Sequence, residues 1–264
     1  MKESKGIMAN TKIFVMTHKE FNMINTLPKE NYTIITNGFP LVSDKYDIIT
    51  VPRGYKDEIG GISDAEMSEV YMLRYLYEHQ ELIGEEVEYI GVNHYRRFFQ
   101  FMENIPCLSD DTHDCVLPKP LNLVLNLYQQ YASCHNEEDL RLFVDIIKEM
   151  DEDVGNDFDV YLNGSLLYPF NMFVVKRDVF NSLMEFGIKA LDEFVSRRGG
   201  NIQDYVNVNK DKYLKDFSPN NELWCQYRML GYLFERFSGF YIHRVSKNPL
   251  YQTVVITEDK YGRN

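Results

Sequence analysis

The chain has 264 residues and a formal net charge of −12, because 40 Asp and Glu residues outnumber 28 Lys and Arg residues. This acidic balance disfavours a nucleic-acid-binding protein, since a phosphate backbone requires a broad basic surface. The length suits one large domain. We predict a disordered start over residues 1–11 and a single domain over residues 12–264.

The cysteines and the hydropathy constrain the cellular context. The 4 cysteines match no CxxC spacing, which favours the reduced thiols of a cytosolic protein. No apolar stretch approaches the roughly 18–20 residues that span a bilayer. The first residues also lack the apolar segment of a signal peptide. We therefore expect a cytoplasmic protein.

The first hundred residues predict short strands and one amphipathic helix. Apolar, β-rich runs favour strands at residues 12–16, 32–35, 47–51 and 88–99. Apolar residues at helical spacing predict a helix over about residues 65–79, for which Ser63 or Asp64 is the N-cap.

The remaining residues are richer in helical patterns. Helices are predicted at residues 121–135, 136–150, 178–197 and 221–237, and β-like runs at 115–117, 166–175, 240–245 and 251–256. Residues 100–114 and the acidic segment 151–159 are expected to be exposed, and residues 199–219 to form a partly helical connection. Glycine inside a helix costs roughly 1 kcal/mol, so Gly231 indicates that another group approaches the last helix closely.

This alternation of strands and helices predicts an α/β fold with a mostly parallel central sheet and helices on both faces. No GxGxxG sequence follows the first strand, and no GxxxxGK[ST] sequence occurs in the chain. Dinucleotide-dependent oxidoreductases and P-loop enzymes are therefore disfavoured.

The end of the 88–99 run carries the strongest functional signal. The apolar strand pattern stops at His94, Tyr95, Arg96 and Arg97. Two arginines beside a buried strand are costly unless an anion meets them, and ligands bind at strand ends in open α/β sheets. The pattern predicts a phosphate or diphosphate site. A surface turn with two solvated arginines explains it equally well.

Several sequence blocks resemble one known family. They are IGGISDAEMSE at residues 59–69, IGVNHYRRFF at 90–99, LPKP at 117–120, YASCHNEEDL at 131–140, LNGSLLYPFNMF at 162–173 and GYLFERF at 231–237. The chain resembles the bacterial capsular-polysaccharide and lipopolysaccharide proteins long filed as a domain of unknown function. Members of that family look like glycosyltransferases of the GT-A fold, and some act as galactofuranosyltransferases. They usually have Asn-Ile-Ser where this chain has Gly61-Ile62-Ser63.

The resemblance implies a fold, a donor and an acceptor. The fold would be a GT-A-like, Rossmann-related domain with a helical C-terminal portion. The donor would be a nucleoside-diphosphate sugar, with UDP as the expected nucleotide and galactofuranose or galactose as candidate sugars. The acceptor would be a capsule or O-antigen glycan, free or lipid-linked. A lipid-linked acceptor would place the protein at the inner face of the cytoplasmic membrane.

The predicted donor site differs from that of many GT-A enzymes, which hold a divalent metal with an Asp-x-Asp pair. The matching strand end here has no carboxylate pair, and arginine can bind phosphate oxygens directly. We therefore predict that His94, Arg96 and Arg97 stabilise the leaving group without a metal or other cofactor. If the strand persists, Arg96 and Arg97 face opposite ways, and one of them pairs with a carboxylate such as Glu69 or Glu235.

Other residues are predicted to bind the donor because of their place in the fold or in the family blocks. They are Thr17, His18 and Lys19 at the end of the first strand, Ser63 and Glu69 around the first helix, and Arg228 and Arg236 on the last helix. Several of them have a structural alternative. His18 can cap the backbone, Ser63 can lie in a flexible turn, and Glu69 can be a solvated helix residue.

Acceptor binding and proton transfer are assigned to a further set of polar residues. Asn171, His135 and Asp139 are predicted to bind the acceptor, although a strand bulge, a helix cap and a salt bridge would explain them too. An inverting transferase needs a carboxylate to deprotonate the acceptor hydroxyl. Glu235 and Glu222 are the candidates, each with an ordinary helix-surface alternative.

Two rival functions remain open from the sequence. A non-catalytic protein of the same fold would bind nucleotide or glycan without turnover, and the missing Asp-x-Asp pair keeps that reading open. A nucleotidyltransferase or phosphatase would need clustered acidic metal ligands, which the sequence does not offer at a suitable spacing.

Overall fold

The computed structural model describes residues 10–20, 30–55, 67–100, 108–109, 111–214 and 222–257. Predictions for the first nine residues, for Ser63 and for the start of the first helix lie outside these ranges.

The strands form one large sheet and a separate pair. In chain order they are β1 (Thr11–Thr17), β2 (Tyr32–Thr36), β3 (Ile48–Thr50), β4 (Tyr89–His94), β5 (Arg97–Phe99), β6 (Cys115–Pro118), β7 (Leu121–Asn122), β8 (Leu166–Leu167), β9 (Phe173–Lys176), β10 (Pro249–Gln252) and β11 (Val254–Ile256). The large sheet has the order β10-β6-β9-β4-β1-β2-β3, with β5 paired to β4 and β11, while β7 pairs with β8.

The sheet is mostly parallel, as predicted. β1 runs parallel to β2 and β4, β2 to β3, and β6 to β10, whereas β9 is antiparallel to its neighbours β4 and β6. The chain extends from β1 outwards to β2 and β3 and then returns to place β4 on the other side of β1. The strand order therefore reverses between β1 and β4, where open α/β sheets bind their ligands.

Most described helices match predicted segments. They are α1 (Glu69–Glu78), α2 (Leu127–Cys134), α3 (Glu137–Met150), α4 (Glu152–Leu162), α5 (Arg177–Arg197), α6 (Ile202–Val208), α7 (Lys210–Tyr213), α8 (Leu223–Tyr227) and α9 (Met229–Val245). Side-chain caps explain several starts: Asn126, Asn136, Asp151 and Asn201 each accept a backbone N–H of the following turn.

The core lies on both faces of the sheet because strand side chains alternate. On β1, Phe14 and Met16 join the larger buried cluster, and Ile13 and Val15 join the smaller one. The described helices that bury side chains in a cluster bury them in the larger cluster, and the smaller cluster contains no residue of these helices. The helices of the described ranges that bury side chains in a cluster thus pack on the face of the larger cluster.

Three sequence predictions are corrected. Residues 88–99 form a hairpin of β4 and β5 joined at Tyr95-Arg96. β5 is a separate strand because it pairs with β11, which lies near the end of the described chain. Residues 240–245 continue α9, because burial of Phe240 and Ile242 outweighs their β propensity. The acidic segment 151–159 is mostly α4, which buries Val154 and Phe158.

Candidate active site

A cleft opens at the reversal point between β1 and β4. One cavity of about 280 Å³ is lined by Glu69, His94, Arg96, Arg97, Arg228 and Glu235, together with Ser68, Phe170, Gly231 and Tyr232. A second cavity, of about 400 Å³, adds Met16, Thr17, His18, Asn37, Met72 and Trp224. Both cavities share Ser68, Glu69, His94, Arg96 and Arg228, so they form one continuous cleft.

The β4–β5 hairpin brings two arginines to this cleft, and neither forms a close ion pair with a described residue. Within the described residues, neither Arg96 nor Arg97 has a carboxylate within 4.0 Å, so the predicted pairing with Glu69 or Glu235 is wrong. Arg97 stacks on Phe170 at 4.4 Å from the ring centroid, and its Nε is buried without a hydrogen-bond partner. Burial lowers the pKa of Arg97 and the charge of Arg96 adds to the effect, whereas Glu69 and Glu235 oppose it. An anion would relieve both costs.

The hairpin turn also explains why both arginines reach the cleft. In a continuous strand they would face opposite sides of the sheet. The chain instead turns after His94, and Arg96 lies over the Tyr95 ring at 5.1 Å. The diphosphate site at this strand end stays a prediction. The alternative of a surface turn with solvated arginines fits Arg96, which is exposed and packs on the Tyr95 ring. It does not fit Arg97, whose Nε is buried.

Arg228 provides a third cation from the break between α8 and α9. Its Nη2 donates a hydrogen bond to Ser68 Oγ at 2.5 Å and lies 4.0 Å from Glu69 Oε2. A Cβ at Gly231 would lie 3.2 Å from Met67 O and from Ser68 Cβ. The close approach predicted at Gly231 is therefore confirmed, because a Cβ there would press on the two residues that precede α1.

Glu69 is held by a chain of buried hydrogen bonds. Asn171 Nδ2 donates to Glu69 Oε1 at 3.1 Å, and Ser238 Oγ donates to Asn171 Oδ1 at 2.9 Å. Burial raises the pKa of Glu69, but on balance that pKa is lowered, first by the charge that His94 carries in strong acid and then by the hydrogen bonds from Ser68 and Asn171. The side-chain amide of Asn171, which was predicted to bind the acceptor, thus orients an ionised Glu69.

Glu235 lies in the same cavity with the opposite tendency. Its Oε1 accepts the Phe170 backbone N–H at 2.6 Å, and its Oε2 lies 3.9 Å from Arg236 Nη1. Burial raises the pKa of Glu235, although Arg236 and the Phe170 N–H oppose the shift. A carboxylate with a raised pKa is a competent proton acceptor closer to neutral pH.

Backbone strain concentrates at this cleft. In the described ranges, the non-glycine residues with positive φ are Ser68 at 55°, Phe170 at 80° and Asn171 at 49°. Ser68 and Phe170 line the cleft, and Asn171 contacts Glu69. Such conformations cost on the order of 1–3 kcal/mol each and cluster at functional sites.

His94 links the cations to Glu69 as a neutral group. Burial lowers the pKa of His94 to about 3; Glu69 opposes that shift, and Arg97 and Arg96 reinforce it. The Arg96 backbone N–H donates to His94 Nδ1 at 3.3 Å. This bond assigns the imidazole proton to Nε2, so His94 can donate one hydrogen bond in the cleft.

The end of β1 forms the other wall. Thr17 and His18 line the second cavity. Thr17 Oγ1 donates to Lys19 O at 2.5 Å and accepts the Lys19 N–H at 3.1 Å, which fixes the turn. Lys19 Nζ lies over the Tyr95 ring at 5.4 Å and is not among the residues lining either cavity.

Arg236, predicted to bind phosphate, faces away from the cleft. It donates to Gln130 Oε1 at 2.6 Å and to Tyr232 O at 3.0 Å, and it lies over the Tyr131 ring at 4.7 Å. Only 3% of Arg236 is exposed. Its position gives no support to a role in donor binding.

His135 and Asp139 are buried outside the cleft as well. His135 Nδ1 bonds to Gln226 Oε1 at 2.9 Å. Asp139 accepts the Tyr213 hydroxyl at 2.6 Å and lies 2.8 Å from Arg198. These contacts join helices, so the structural alternatives fit both residues better than acceptor binding.

Glu222 is exposed, and its carboxylate accepts the Trp224 Nε1–H. It lines neither cavity, whereas Glu235 lines the first. The sequence reasoning missed Ser68, Asn37, Phe170, Tyr232 and Trp224 as cleft residues. A signal existed for Trp224, the sole tryptophan of the chain.

Among the described residues, no group of three or more His, Cys, Asp and Glu side chains is arranged to hold a metal ion. The same part of the chain contains no helix with the length and apolar character that crossing a membrane requires.

The fold and the cleft define an α/β protein of GT-A-like architecture with a cation-lined site at the strand ends. The chain belongs to the family described as Domain of unknown function (DUF4422), whose model matches residues 12–247. A comparison with curated proteins finds no match.

Among solved structures, the fold is similar to the apo structure of the bifunctional glycosyltransferase WbbM. The TM-score is 0.67 at 17% sequence identity, and the match covers 95% of this chain and 46% of that chain. This chain thus spans about half the length of that protein. At this identity the similarity concerns the fold, and it confirms the predicted GT-A-like architecture.

Proposed function

We propose that this protein is a glycosyltransferase that moves a sugar from a nucleoside diphosphate to a glycan acceptor. One observation carries the proposal: three guanidinium groups and a carboxylate of raised pKa line a single cavity where the strand order reverses. Such a transferase needs positive charge for its leaving group and a proton acceptor beside it.

The donor's diphosphate would lie among Arg96, Arg97 and Arg228. Positive charge fixed before the reaction stabilises the negative charge that develops as the sugar leaves, and planar guanidinium groups suit phosphate oxygens. His94 Nε2–H adds a neutral donor. This arrangement supports leaving-group stabilisation by the protein itself, without a metal.

Glu235 would accept the proton of the acceptor hydroxyl. The hydroxyl oxygen forms a bond to the anomeric carbon, and the bond from that carbon to the diphosphate oxygen breaks. The electron pair of the broken bond stays on the diphosphate, and the hydroxyl proton passes to Glu235. The Phe170 N–H would keep the carboxylate oriented throughout.

The finer substrate assignment rests on the family resemblance. We infer a UDP-sugar donor, with galactofuranose or galactose as the transferred sugar. The acceptor would be a capsule or O-antigen glycan. A lipid-linked acceptor would bring the protein to the inner face of the bacterial cytoplasmic membrane.

The test is turnover of a panel of nucleotide sugars with glycan acceptors, with and without excess EDTA. We expect release of nucleoside diphosphate that EDTA leaves unchanged, and strict dependence on manganese or magnesium would overturn metal independence. Arg97→Gln should lose activity. Arg197→Gln is the matched control, because Arg197 pairs with Glu149 and Glu193 outside the cleft.

A non-catalytic role would give a different result in the same assay. The wild-type protein would then bind a nucleotide sugar yet release no nucleoside diphosphate with any acceptor.

A further inference from the structure

Trp224 is a large aromatic residue left exposed at the wall of the second cavity. Its side chain belongs to α8, and 57% of the residue is accessible to solvent. Its indole Nε1–H donates to the Glu222 carboxylate. Because that N–H lies in the ring plane, the bond holds the indole by its edge and uses neither ring face.

The remainder of the second cavity has the chemistry of a nucleoside site. Met16 and Met72 give it apolar surface, and Asn37 contributes an amide that can both donate and accept hydrogen bonds. The cations shared with the first cavity, Arg96 and Arg228, stand at the junction of the two. A ligand with its diphosphate at that junction would extend its nucleoside towards Trp224 and its sugar towards Glu235.

We propose that Trp224 is the stacking surface for the nucleobase of the donor. This inference rests on the proposed function and adds a residue that recognises the nucleotide. Bases stack on aromatic side chains with little sequence preference, because every base has a π-face. Stacking at Trp224 would thus supply affinity, and selection among bases would fall to polar groups such as Asn37.

The sole tryptophan makes this contact directly measurable. Titration of the full chain with UDP should quench the indole fluorescence, whereas inorganic pyrophosphate, which lacks a base, should bind without quenching. Calorimetry with the same two ligands should show that Trp224→Ala weakens UDP binding by about tenfold or more. The same variant should leave pyrophosphate affinity unchanged, and Trp224→Phe should retain most of the UDP affinity.

The outcomes separate this inference from the function on which it rests. If Trp224→Ala binds UDP and pyrophosphate as the wild type does, stacking is refuted and the transferase proposal stands. Equal weakening of both ligands would show a general disturbance of the cleft and would also refute stacking. If the wild type binds neither UDP, GDP nor ADP, the inference and the proposed function fail together.

Discussion

Glu235 is the residue on which the proposed chemistry depends most. We expect Glu235→Gln to lower kcat by about 10²- to 10⁴-fold, the usual contribution of a general base, while donor affinity stays near that of the wild type. The amide keeps an oxygen that can accept the Phe170 N–H, so the fold should be preserved. Steady-state kinetics and calorimetry with the donor would check both halves.

Glu185→Gln provides a control for that variant, because Glu185 is exposed and pairs only with Lys189 in the described contacts. A wild-type rate in Glu235→Gln together with an inactive Glu222→Gln would transfer the role of base to Glu222.

The raised pKa of Glu235 predicts the shape of the pH profile. A base works only when deprotonated, so activity should rise with pH through the pKa of Glu235. Burial places that pKa above the ordinary glutamate value of 4.5. The acidic limb of kcat/KM should therefore lie above pH 4.5. A limb at or below that value would show that another group limits the rate.

His94 should make the free energy of unfolding depend on pH below the ordinary histidine pKa of 6.5. Its folded-state pKa lies far below the ordinary value of 6.5, so the unfolded chain takes up the proton first. The stability that comes from neutral His94 is present above pH 6.5 and is lost as pH falls towards the folded-state pKa. The loss has a limiting slope of about 1.4 kcal/mol per pH unit.

Urea denaturation of the wild type and of His94→Gln between pH 5 and 8 would measure this effect. Below pH 6.5 the unfolding free energy of the wild type should fall relative to that of the variant, because the variant has no imidazole to protonate. Parallel curves for the two proteins would contradict a neutral, buried His94.

At the scale of elements, α9 supports the cleft through glycines. A Cβ at Gly239 would lie 2.5 Å from Tyr168 Cβ and 3.0 Å from Tyr168 O. Gly239→Ala should therefore push away the segment that leads to Phe170 and lower the free energy of unfolding by about 1–3 kcal/mol. Urea denaturation would test it, with Val160→Ala as an exposed helix control expected within about 0.5 kcal/mol of the wild type.

The sequence predicted the elements that carry their own local signals. β1, β2, α3 and α5 follow from apolar periodicity and, for α3, from the Asn136 cap. It mispredicted segments whose structure depends on distant partners. β5 exists as a separate strand because β11 pairs with it, and α9 runs past Phe240 because that residue packs into the core. Neither partner is visible within a short window.

The same distinction applies to the candidate site. His94, Arg96 and Arg97 are predicted as anion-binding residues from a strand end, and Arg228 from its place on the last predicted helix. The structure brings the four together. Arg236 was placed with them and lies elsewhere, because one step along a helix turns a side chain by about 100°. Glu235 therefore lines the first cavity, whereas Arg236 lies behind it, 3.9 Å from its carboxylate and outside the cavity lining. Composition and spacing could not decide between these positions.

For the molecule as a whole, the cleft is a cationic site in a protein of net charge −12. A ligand that binds only the native state at 100 times its Kd adds about 2.7 kcal/mol of stability. For a chain of this size, that predicts a rise in Tm of roughly 5–10 °C with a nucleoside diphosphate. Thermal melting in EDTA would measure it, and a shift that appears only with added manganese would refute metal-free binding.

The last described strand, β11, helps to position the two arginines of the cleft. β11 pairs with β5 in a register that sets Ile256 opposite Arg97, and the Thr257 N–H donates to Arg96 O at 2.9 Å. The backbone at both arginines is therefore held by β11 and Thr257, which lie beyond residue 247, where the family match ends. Removal or immobilisation of β11 should therefore lower the affinity for diphosphate in a protein that is still folded.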